Sequence, residues 1–164
     1  MKKVIVIGCP GSGKSTFSKA LHQITGIELI HLDRLFWNAD QTSVEKSVFL
    51  TRLSEAMNAD EWILDGNYAS TMEMRMQACD TVIFLDYPTQ VCLDGIEQRK
   101  GKARSDMPWV EPDRYAPEFL DFIKGYRAQS RPQVKELLSR YSHKDIYIFS
   151  ARAQAEEFLA QLRR

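Results

Sequence analysis

Short apolar runs alternate along this chain with longer segments in which apolar residues recur every three or four positions. Five of the runs are rich in β-branched or aromatic residues and predict β-strands, over residues 4–7, 28–32, 62–64, 81–85 and 146–149. The first run is continuously apolar, which is typical of a strand buried on both faces of a parallel sheet. Strands that alternate with helices in this way predict an α/β fold with a parallel sheet.

The segments between the runs carry helical signals. Gly26 stands at the end of the first helical segment, where a glycine commonly ends a helix in the left-handed conformation. Thr42 and Glu45 have the spacing of a capping box, which predicts that a helix begins there, and another helix follows the fifth strand. The apolar stripes of these three helices are Phe17, Leu21 and Ile24; Phe49, Leu53 and Ala56; and Phe158, Leu159 and Leu162.

The only long stretch without a regular pattern is residues 100–117, which is polar and contains three prolines. A loop of this length inside a compact domain is usually functional or disordered. It has few apolar residues to anchor it, and we expect Arg99 and Arg104 to repel each other while the site is empty. These features predict a lid that is mobile without ligand and closes over bound phosphate. We expect one domain over residues 1–164 with this lid inserted.

Composition narrows the class of partner. The 22 basic and 22 acidic residues cancel to a net charge of zero, which disfavours a nucleic-acid binder that relies on a broad positive field. No apolar run approaches the roughly 18 residues of a membrane span, and no secretory leader is recognisable. The three cysteines lack metal-ligand spacing and suit a reducing compartment. We therefore expect a cytoplasmic protein, as a monomer or homodimer.

The strongest chemical signal is the sequence GCPGSGKS at residues 8–15, which has the spacing G-x-x-x-x-G-K-[ST] between a predicted strand and a predicted helix. In such a loop, backbone N–H groups turn toward phosphate oxygens at the N-terminus of the helix. Lys14 is expected to contact the β- and γ-phosphates of ATP, and Ser15 to bind Mg²⁺. A glycine-rich turn that binds nothing is the weaker alternative. The predicted nucleotide-binding residues are Gly8, Pro10, Gly11, Ser12, Gly13, Lys14, Ser15 and Thr16.

Three aspartates end predicted strands, at the edge of a parallel sheet where ligands collect. Asp65 is expected to bind Mg²⁺ or one of its waters opposite Ser15; alternatively, it caps the helix that follows. Asp33 either accepts a proton from an acceptor hydroxyl, binds a metal-bound water, or pairs with Arg34. A proline two residues after Asp86 favours a plain turn role for that residue.

Basic residues around the lid are candidate contacts for the phosphoryl group in transfer. Arg99 and Arg104 lie at the start of the lid, and Arg127 and Arg131 lie four residues apart on the following helical segment. A solvated, basic helix end is the alternative interpretation of the first pair. Arg75 follows the Asp-Gly segment and is a candidate for binding an acceptor anion, or else a surface residue.

The chain resembles the adenylate-kinase-like P-loop small-molecule kinases. The resemblance lies in the order of elements along nearly the whole chain, and it is most specific at residues 8–15. Residues 62–68, WILDGNY, resemble the strand, Asp-Gly pair and acceptor-binding turn of that family. Residues 82–86 resemble its fourth strand, and residues 92–99 resemble the helix that leads to the lid. Residues 126–130 resemble the helix after the lid. The chain from Ser150 onward resembles the terminal turn that helps to enclose the adenine. The resemblance implies a three-layer P-loop NTPase fold, with a five-stranded parallel sheet in the order 2-3-1-4-5 and a short lid.

Within that group, the sequence HLDRLFW at residues 31–37, WILDGNY and Arg75 resemble the bacterial FlaR-like topology modulation proteins. Nucleoside monophosphate kinases carry Gly-Phe-Pro-Arg after the aspartate of the third strand, whereas this chain has Asn-Tyr-Ala-Ser at residues 67–70. The arginine expected to hold an acceptor phosphate is therefore missing, and Arg34 and Arg75 are candidate replacements. The predicted acceptor-binding residues are Arg34, Trp37, Asn67 and Arg75.

The sequence thus predicts an ATP- and Mg²⁺-dependent kinase acting on a small acceptor, either a nucleotide or a polar metabolite. The predicted catalytic residues are Lys14, Asp33, Arg99, Arg104, Arg127 and Arg131, and the predicted metal ligands are Ser15 and Asp65. The alternative is a nucleotide-dependent regulatory protein that acts through DNA or a protein partner. The neutral composition and the absence of a helix-turn-helix or basic arm oppose direct binding to nucleic acid.

Overall fold

The chain folds around one sheet of five parallel strands, and the computed structural model describes residues 1–164. The strand order β2-β3-β1-β4-β5 confirms the predicted fold class. The strands are β1 (Lys3–Gly8), β2 (Leu29–His31), β3 (Trp62–Asp65), β4 (Thr81–Leu85) and β5 (Asp145–Phe149). The three central strands are almost entirely buried, as expected for apolar strands of a parallel sheet covered on both faces.

Helices cover both faces of the sheet. Along β1, Val4 and Val6 point into one apolar cluster, while Ile5 and Ile7 point into a second cluster on the opposite face. The helices are α1 (Lys14–Thr25), α2 (Leu32–Phe36), α3 (Lys46–Met57), α4 (Ala69–Ala78), α5 (Thr89–Arg99), α6 (Pro117–Gln129), α7 (Arg131–Arg140) and α8 (Arg152–Leu162). None of them combines the length and the apolar character of a membrane span.

Two local predictions around the second strand and the third helix were wrong. The second strand ends at His31, and α2 begins at the next residue, so Asp33 lies in a short helix. The capping box does not form: α3 begins at Lys46 after Glu45, without a side-chain cap. Thr42 instead hydrogen-bonds through its backbone N–H to the carboxylate of Asp40, at 3.0 Å, in a turn before the helix. The end of α1 at Gly26 is as predicted, with φ of 74°.

The loop between β1 and α1 approaches α5 so closely that neither backbone has room for a side chain. A Cβ atom placed on Gly95 would lie 2.0 Å from the carbonyl oxygen of Gly11. A Cβ atom on Gly11, whose φ is +84°, would lie 2.0 Å from the carbonyl oxygen of Cys92. A glycine inside a helix normally costs about 1 kcal/mol relative to alanine. This contact explains why α5 carries one.

We expect the substitution Gly95→Ala to displace the loop and weaken ATP binding by roughly tenfold to a hundredfold, because small misplacements of a binding loop are costly. Gly125→Ala in α6 is the matched control, since its Cβ would meet only the flexible side chain of Gln129, at 3.4 Å. Calorimetric titration with MgATP, with thermal unfolding measured alongside, tests the pair. Wild-type affinity in Gly95→Ala would show that the contact does not position the loop.

Candidate active site

The predicted phosphate-binding loop lies at the carboxyl edge of the sheet, between β1 and α1. Lys14 folds back over the loop, and its Nζ donates to the carbonyl oxygens of Gly8 and Cys9 at 2.9 and 3.3 Å. Burial lowers the pKa of Lys14, and the nearby carboxylate of Asp65 opposes that effect. Gly13 precedes α1 with φ of +95°, and no side chain caps the first N–H groups of the helix. The loop therefore presents unpaired backbone donors and a cation to an anion.

A cavity of about 1260 Å³ opens over this loop. Asp33, Trp37, Asn67 and Tyr68 line it together with the loop, and the lid contributes residues from positions 102–116. Ser12 is fully buried, and neither it nor Gly8 lines the cavity, so these two residues shape the loop from beneath. The predicted nucleotide-binding residues that do line it are Pro10, Gly11, Gly13, Lys14, Ser15 and Thr16.

The predicted metal ligand Asp65 is held by a histidine that sequence reasoning did not identify. His31 and Asp65 are direct partners in the register of β2 and β3. Nδ1 of the histidine lies 2.7 Å from Oδ2 of the aspartate, which is 5% exposed and lines the cavity. The helix that follows β3 has Tyr68 at its N-cap and no side-chain cap, so Asp65 does not cap it.

Asp33, which the sequence analysis placed at a strand end and which lies in α2, is bound by a hydroxyl and not by Arg34. The hydroxyl group of Tyr68 donates a hydrogen bond to Oδ1 of Asp33, and the carboxylate has no cationic partner. Burial raises the pKa of Asp33, an effect that the bond from Tyr68 partly offsets. The Tyr68 ring packs against Phe36 and Phe49, with ring centroids 5.0 and 5.1 Å apart, which fixes the position of its hydroxyl. Simple pairing of Asp33 with Arg34 was therefore a wrong alternative.

Arg34 does not reach the cavity, contrary to its predicted role in acceptor binding. Its guanidinium group donates to the backbone carbonyl oxygens of Ser105 and Met107 in the lid. Next to this contact, the Trp37 and Trp109 rings meet edge-on, with centroids 5.4 Å apart. These contacts join the lid to α2.

Arg75 is a second predicted acceptor ligand that the structure places elsewhere. It is fully buried and does not line the cavity. Its guanidinium donates to the carbonyl oxygens of Gly66 at 3.1 Å, Asn67, and Tyr68 at 3.2 Å. Burial without a carboxylate partner lowers the pKa of Arg75 to about 10. Arg75 therefore holds the loop after β3, including Tyr68 with its left-handed φ of 42°.

Asn67 lines the cavity, but its amide group is bonded to the phosphate-binding loop. The backbone N–H of Gly8 donates to Oδ1 of Asn67 at 3.1 Å, and Nδ2 donates back to the Gly8 carbonyl oxygen at 2.5 Å. The residue thus joins the loop after β3 to the end of β1. It acts as a structural link between the two halves of the site.

Arg127 and Arg131 bind Asp86, and neither lines the cavity. Arg131 donates from Nε and Nη2 to the two carboxylate oxygens, each at 2.8 Å, and Arg127 lies 3.4 Å from Oδ1. The ion pairs of Asp86 with these two arginines connect the end of β4 to the junction of α6 and α7. Asp86 thus has more than the plain turn role that the sequence favoured, and the catalytic role of both arginines stays a prediction that their position outside the cavity does not favour.

The lid arginines are paired with carboxylates, in contrast to the mutual repulsion that the sequence predicted. Arg104 binds Asp106 and Glu111, whose side chains are both nearly fully buried. The Nε atom of Arg99 lies 3.7 Å from Oε1 of Glu111. An antiparallel bridge between residues 103 and 110 closes this small ion cluster. The lid thus has internal structure, and its mobility without ligand remains a prediction.

Arg152 is a site residue that the sequence interpretation missed. Its guanidinium donates to the carbonyl oxygens of Ser12 and Gly11 at 2.9 and 3.3 Å and lies 5.3 Å from the centroid of the Tyr87 ring. It lines the cavity from the start of α8, 140 residues away from the loop in sequence. The only signal in the sequence is a basic residue at the first turn after the fifth strand.

No family model matches the chain, and no curated protein matches it. Solved structures of similar fold include a shikimate kinase from Acinetobacter baumannii in complex with shikimate. That protein is 15% identical, with a TM-score of 0.60, over 99% of this chain and 90% of the other. A shikimate kinase from Bacteroides thetaiotaomicron is 20% identical, with a TM-score of 0.56, over 98% and 95% of the two chains. The chain therefore has the P-loop NTPase fold that these kinases share.

Asp33→Asn tests the electrostatic environment of the site. Since burial raises the folded-state pKa of Asp33, its ionised form destabilises the folded protein once the pH exceeds the ordinary aspartate value of about 3.9. The amide carries no charge and still offers an oxygen to Tyr68. We expect Asp33→Asn to raise the unfolding midpoint at pH 7 by about 2–4 °C, and the gain to vanish near pH 3.

The control for this experiment is Asp40→Asn. Hydrogen bonds from Thr42 lower the pKa of that exposed aspartate, so its substitution should not stabilise the protein at pH 7. Thermal unfolding followed by circular dichroism at both pH values measures the two differences. A lower midpoint for Asp33→Asn than for the wild type at pH 7 would contradict the assigned environment.

Proposed function

We propose that this chain is an ATP-dependent phosphotransferase that moves the γ-phosphoryl group of ATP to a hydroxyl group of a small acceptor. One observation carries this proposal: the anion-binding loop with Lys14 and the partly buried carboxylate of Asp33, which forms no salt bridge, line one cavity. The two groups are close enough for each to influence the pKa of the other. A phosphate donor and a proton acceptor can therefore meet within the same cavity.

The phosphate-binding half fits a nucleoside triphosphate. Gly11 and Gly13 have φ values of +84° and +95°, and the unpaired N–H groups at the start of α1 need an anion. Lys14 rests on backbone carbonyls, and phosphate oxygens would be stronger partners for its ammonium group. Arg152 holds the carbonyl side of the same loop, which leaves the N–H side for phosphate.

Ser15 and Asp65 are the residues that would hold Mg²⁺. The chain has no cluster of three or more acidic, histidine or cysteine side chains placed to hold a metal ion. That fits Mg²⁺, which usually takes only one or two protein ligands beside phosphates and water. When bound, the ion would neutralise the phosphate oxygens. The contact from His31 fixes the orientation of Asp65, as a second shell commonly does for a metal ligand.

Asp33 is the proposed proton acceptor. The acceptor hydroxyl oxygen forms a bond to the γ-phosphorus, the bond from that phosphorus to the β-bridging oxygen breaks, and ADP leaves. The hydroxyl proton passes to a carboxylate oxygen of Asp33. The pKa of Asp33 is raised by burial, which makes the carboxylate a better base, and Tyr68 orients it.

Arg99 is the lid residue best placed to contact the phosphoryl group in transfer. It lines the cavity with a side chain that is 23% exposed, and its Nε atom lies 3.7 Å from Glu111 without forming a hydrogen bond. Arg104 lines the cavity as well, but two carboxylates already neutralise it. We therefore assign electrostatic stabilisation of the phosphoryl group to Arg99 and an organising role in the lid to Arg104.

The fold comparison is compatible with a small hydroxyl acceptor, because the solved structures of this fold include kinases named for shikimate. No observation supports the regulatory alternative, in which nucleotide state controls binding to DNA or a protein. The similarity to topology modulation proteins remains a resemblance of sequence motifs.

Lys14→Ala tests the donor half of the proposal. The variant should fold normally, because Lys14 contacts the loop and not the apolar core, and it should lose at least about a hundredfold in acceptor-stimulated ATP turnover. Lys124→Ala, an exposed lysine on α6, is the matched control and should behave like the wild type. Circular dichroism and ADP release measure the two properties. Wild-type turnover in Lys14→Ala would remove the proposal.

A further inference from the structure

Six cations line the cavity, and all of them lie outside the part that we assign to the acceptor. They come from α1, from residues 99–104 and from the start of α8: Lys14, Lys19, Arg99, Lys102, Arg104 and Arg152. We define the acceptor compartment as two sets of cavity-lining residues. The first set lies within residues 33–68, from α2 to the loop after β3, and the second lies at lid positions 105–109. The compartment includes three carboxylates, two amides, a phenol and two indoles, but no lysine, arginine or histidine. The side chains that decide its chemistry are Asp33, Trp37, Gln41, Tyr68, Asp106 and Trp109.

The arginines around this compartment are bound to other groups. Arg34 turns to carbonyl groups of the lid and lines a smaller neighbouring cavity of about 360 Å³. Arg75 is buried on backbone carbonyls, and Arg104 is bound to Asp106 and Glu111. An acceptor with a phosphate or carboxylate would therefore meet the negative charge of Asp33, which Lys14 of the phosphate-binding loop offsets only in part. Like charge in a partly buried site acts against such a ligand.

Aromatic surface replaces charge in this compartment. Trp37 and Trp109 meet edge to face and remain partly exposed where they line the cavity, whereas the third tryptophan, Trp62, is completely buried in the sheet. Exposed ring faces in a cavity are suited to packing against a ring of the ligand. Gln41 lines the same compartment with a left-handed φ of 68°, and its amide can both donate and accept a hydrogen bond.

We propose that the acceptor is a ring-bearing alcohol without negative charge, whose ring packs on Trp37 and Trp109 while its hydroxyl group lies at Asp33. This inference rests on the proposed phosphotransferase function and specifies its substrate class. A nucleoside has this chemistry through its planar base and free hydroxyl groups, and a neutral sugar has it through the C–H face of its ring. Nucleoside monophosphates and hydroxy acids are excluded as preferred acceptors because they carry an anion.

Tryptophan fluorescence provides the test, because Trp37 and Trp109 face the compartment and Trp62 does not. The full chain is first saturated with magnesium and a non-hydrolysable ATP analogue, so that the probes cannot occupy the donor half. It is then titrated with uridine, cytidine and thymidine, with their 5′-monophosphates, and with glucose and shikimate. We expect at least one neutral probe to bind at least tenfold more tightly than the anionic probes. Comparison of the nucleosides with glucose shows whether the bound ring is a planar base or a sugar.

Single variants Trp37→Phe and Trp109→Phe locate the signal. Each should lose part of the fluorescence change while the Trp62 emission remains, and either variant suffices if the other fails to fold. Equal or tighter binding of a monophosphate or of shikimate would overturn the inference, and so would the absence of binding by every probe.

Failure of this inference is distinguishable from failure of the proposed function. ATP turnover stimulated by an anionic acceptor and abolished in Lys14→Ala would leave the phosphotransferase in place with a different substrate class. No stimulation by any member of the panel would count against both.

Discussion

The site depends on a loop whose backbone is held closely from three sides. Gly11 lies against Gly95 with no room for a side chain, the amide of Asn67 pairs with both backbone groups of Gly8, and Arg152 binds two loop carbonyls. Carbonyl groups on one side are thereby satisfied, and the N–H groups at the start of α1 remain for an anion. A loop held in this way binds phosphate without first paying for its own ordering.

Several arginines around this loop bind other groups of the protein and do not line the cavity. Arg75 fixes the loop that carries Tyr68, Arg34 joins the lid to α2, and Arg131 joins β4 to α7. The guanidinium group suits this use because its planar fork donates several bonds at once. Since these cations are engaged, the acceptor half is defined by Asp33 and aromatic rings. On the proposed function, the same pairing that stabilises the fold would also limit which ligand charge the site accepts.

Much of the fold could be predicted from local pattern, since buried parallel strands are continuously apolar and the loop motif requires a strand before it and a helix after it. Asp33 and Asp65 were identifiable because each ends a predicted strand. Their partners were not, because His31 meets Asp65 only through the pairing of β2 with β3, and Tyr68 reaches Asp33 across 35 residues. The partners of the arginines could not be predicted for the same reason: local sequence gives a charge, and the fold decides which group that charge meets. Gly95 was a missed signal, since a helix-interior glycine often marks a close approach.

The most direct measurement follows the γ-phosphoryl group itself. MgATP is incubated in water enriched in ¹⁸O with the wild-type chain and a mixture of nucleosides, nucleoside monophosphates, glucose and shikimate, and the products are analysed by phosphorus NMR and mass spectrometry. Transfer to a hydroxyl held at Asp33 predicts a phosphate monoester without ¹⁸O from the solvent, formed in step with ADP. Inorganic phosphate containing one ¹⁸O atom as the only phosphorylated product besides ADP would show attack by water and contradict the proposed transfer.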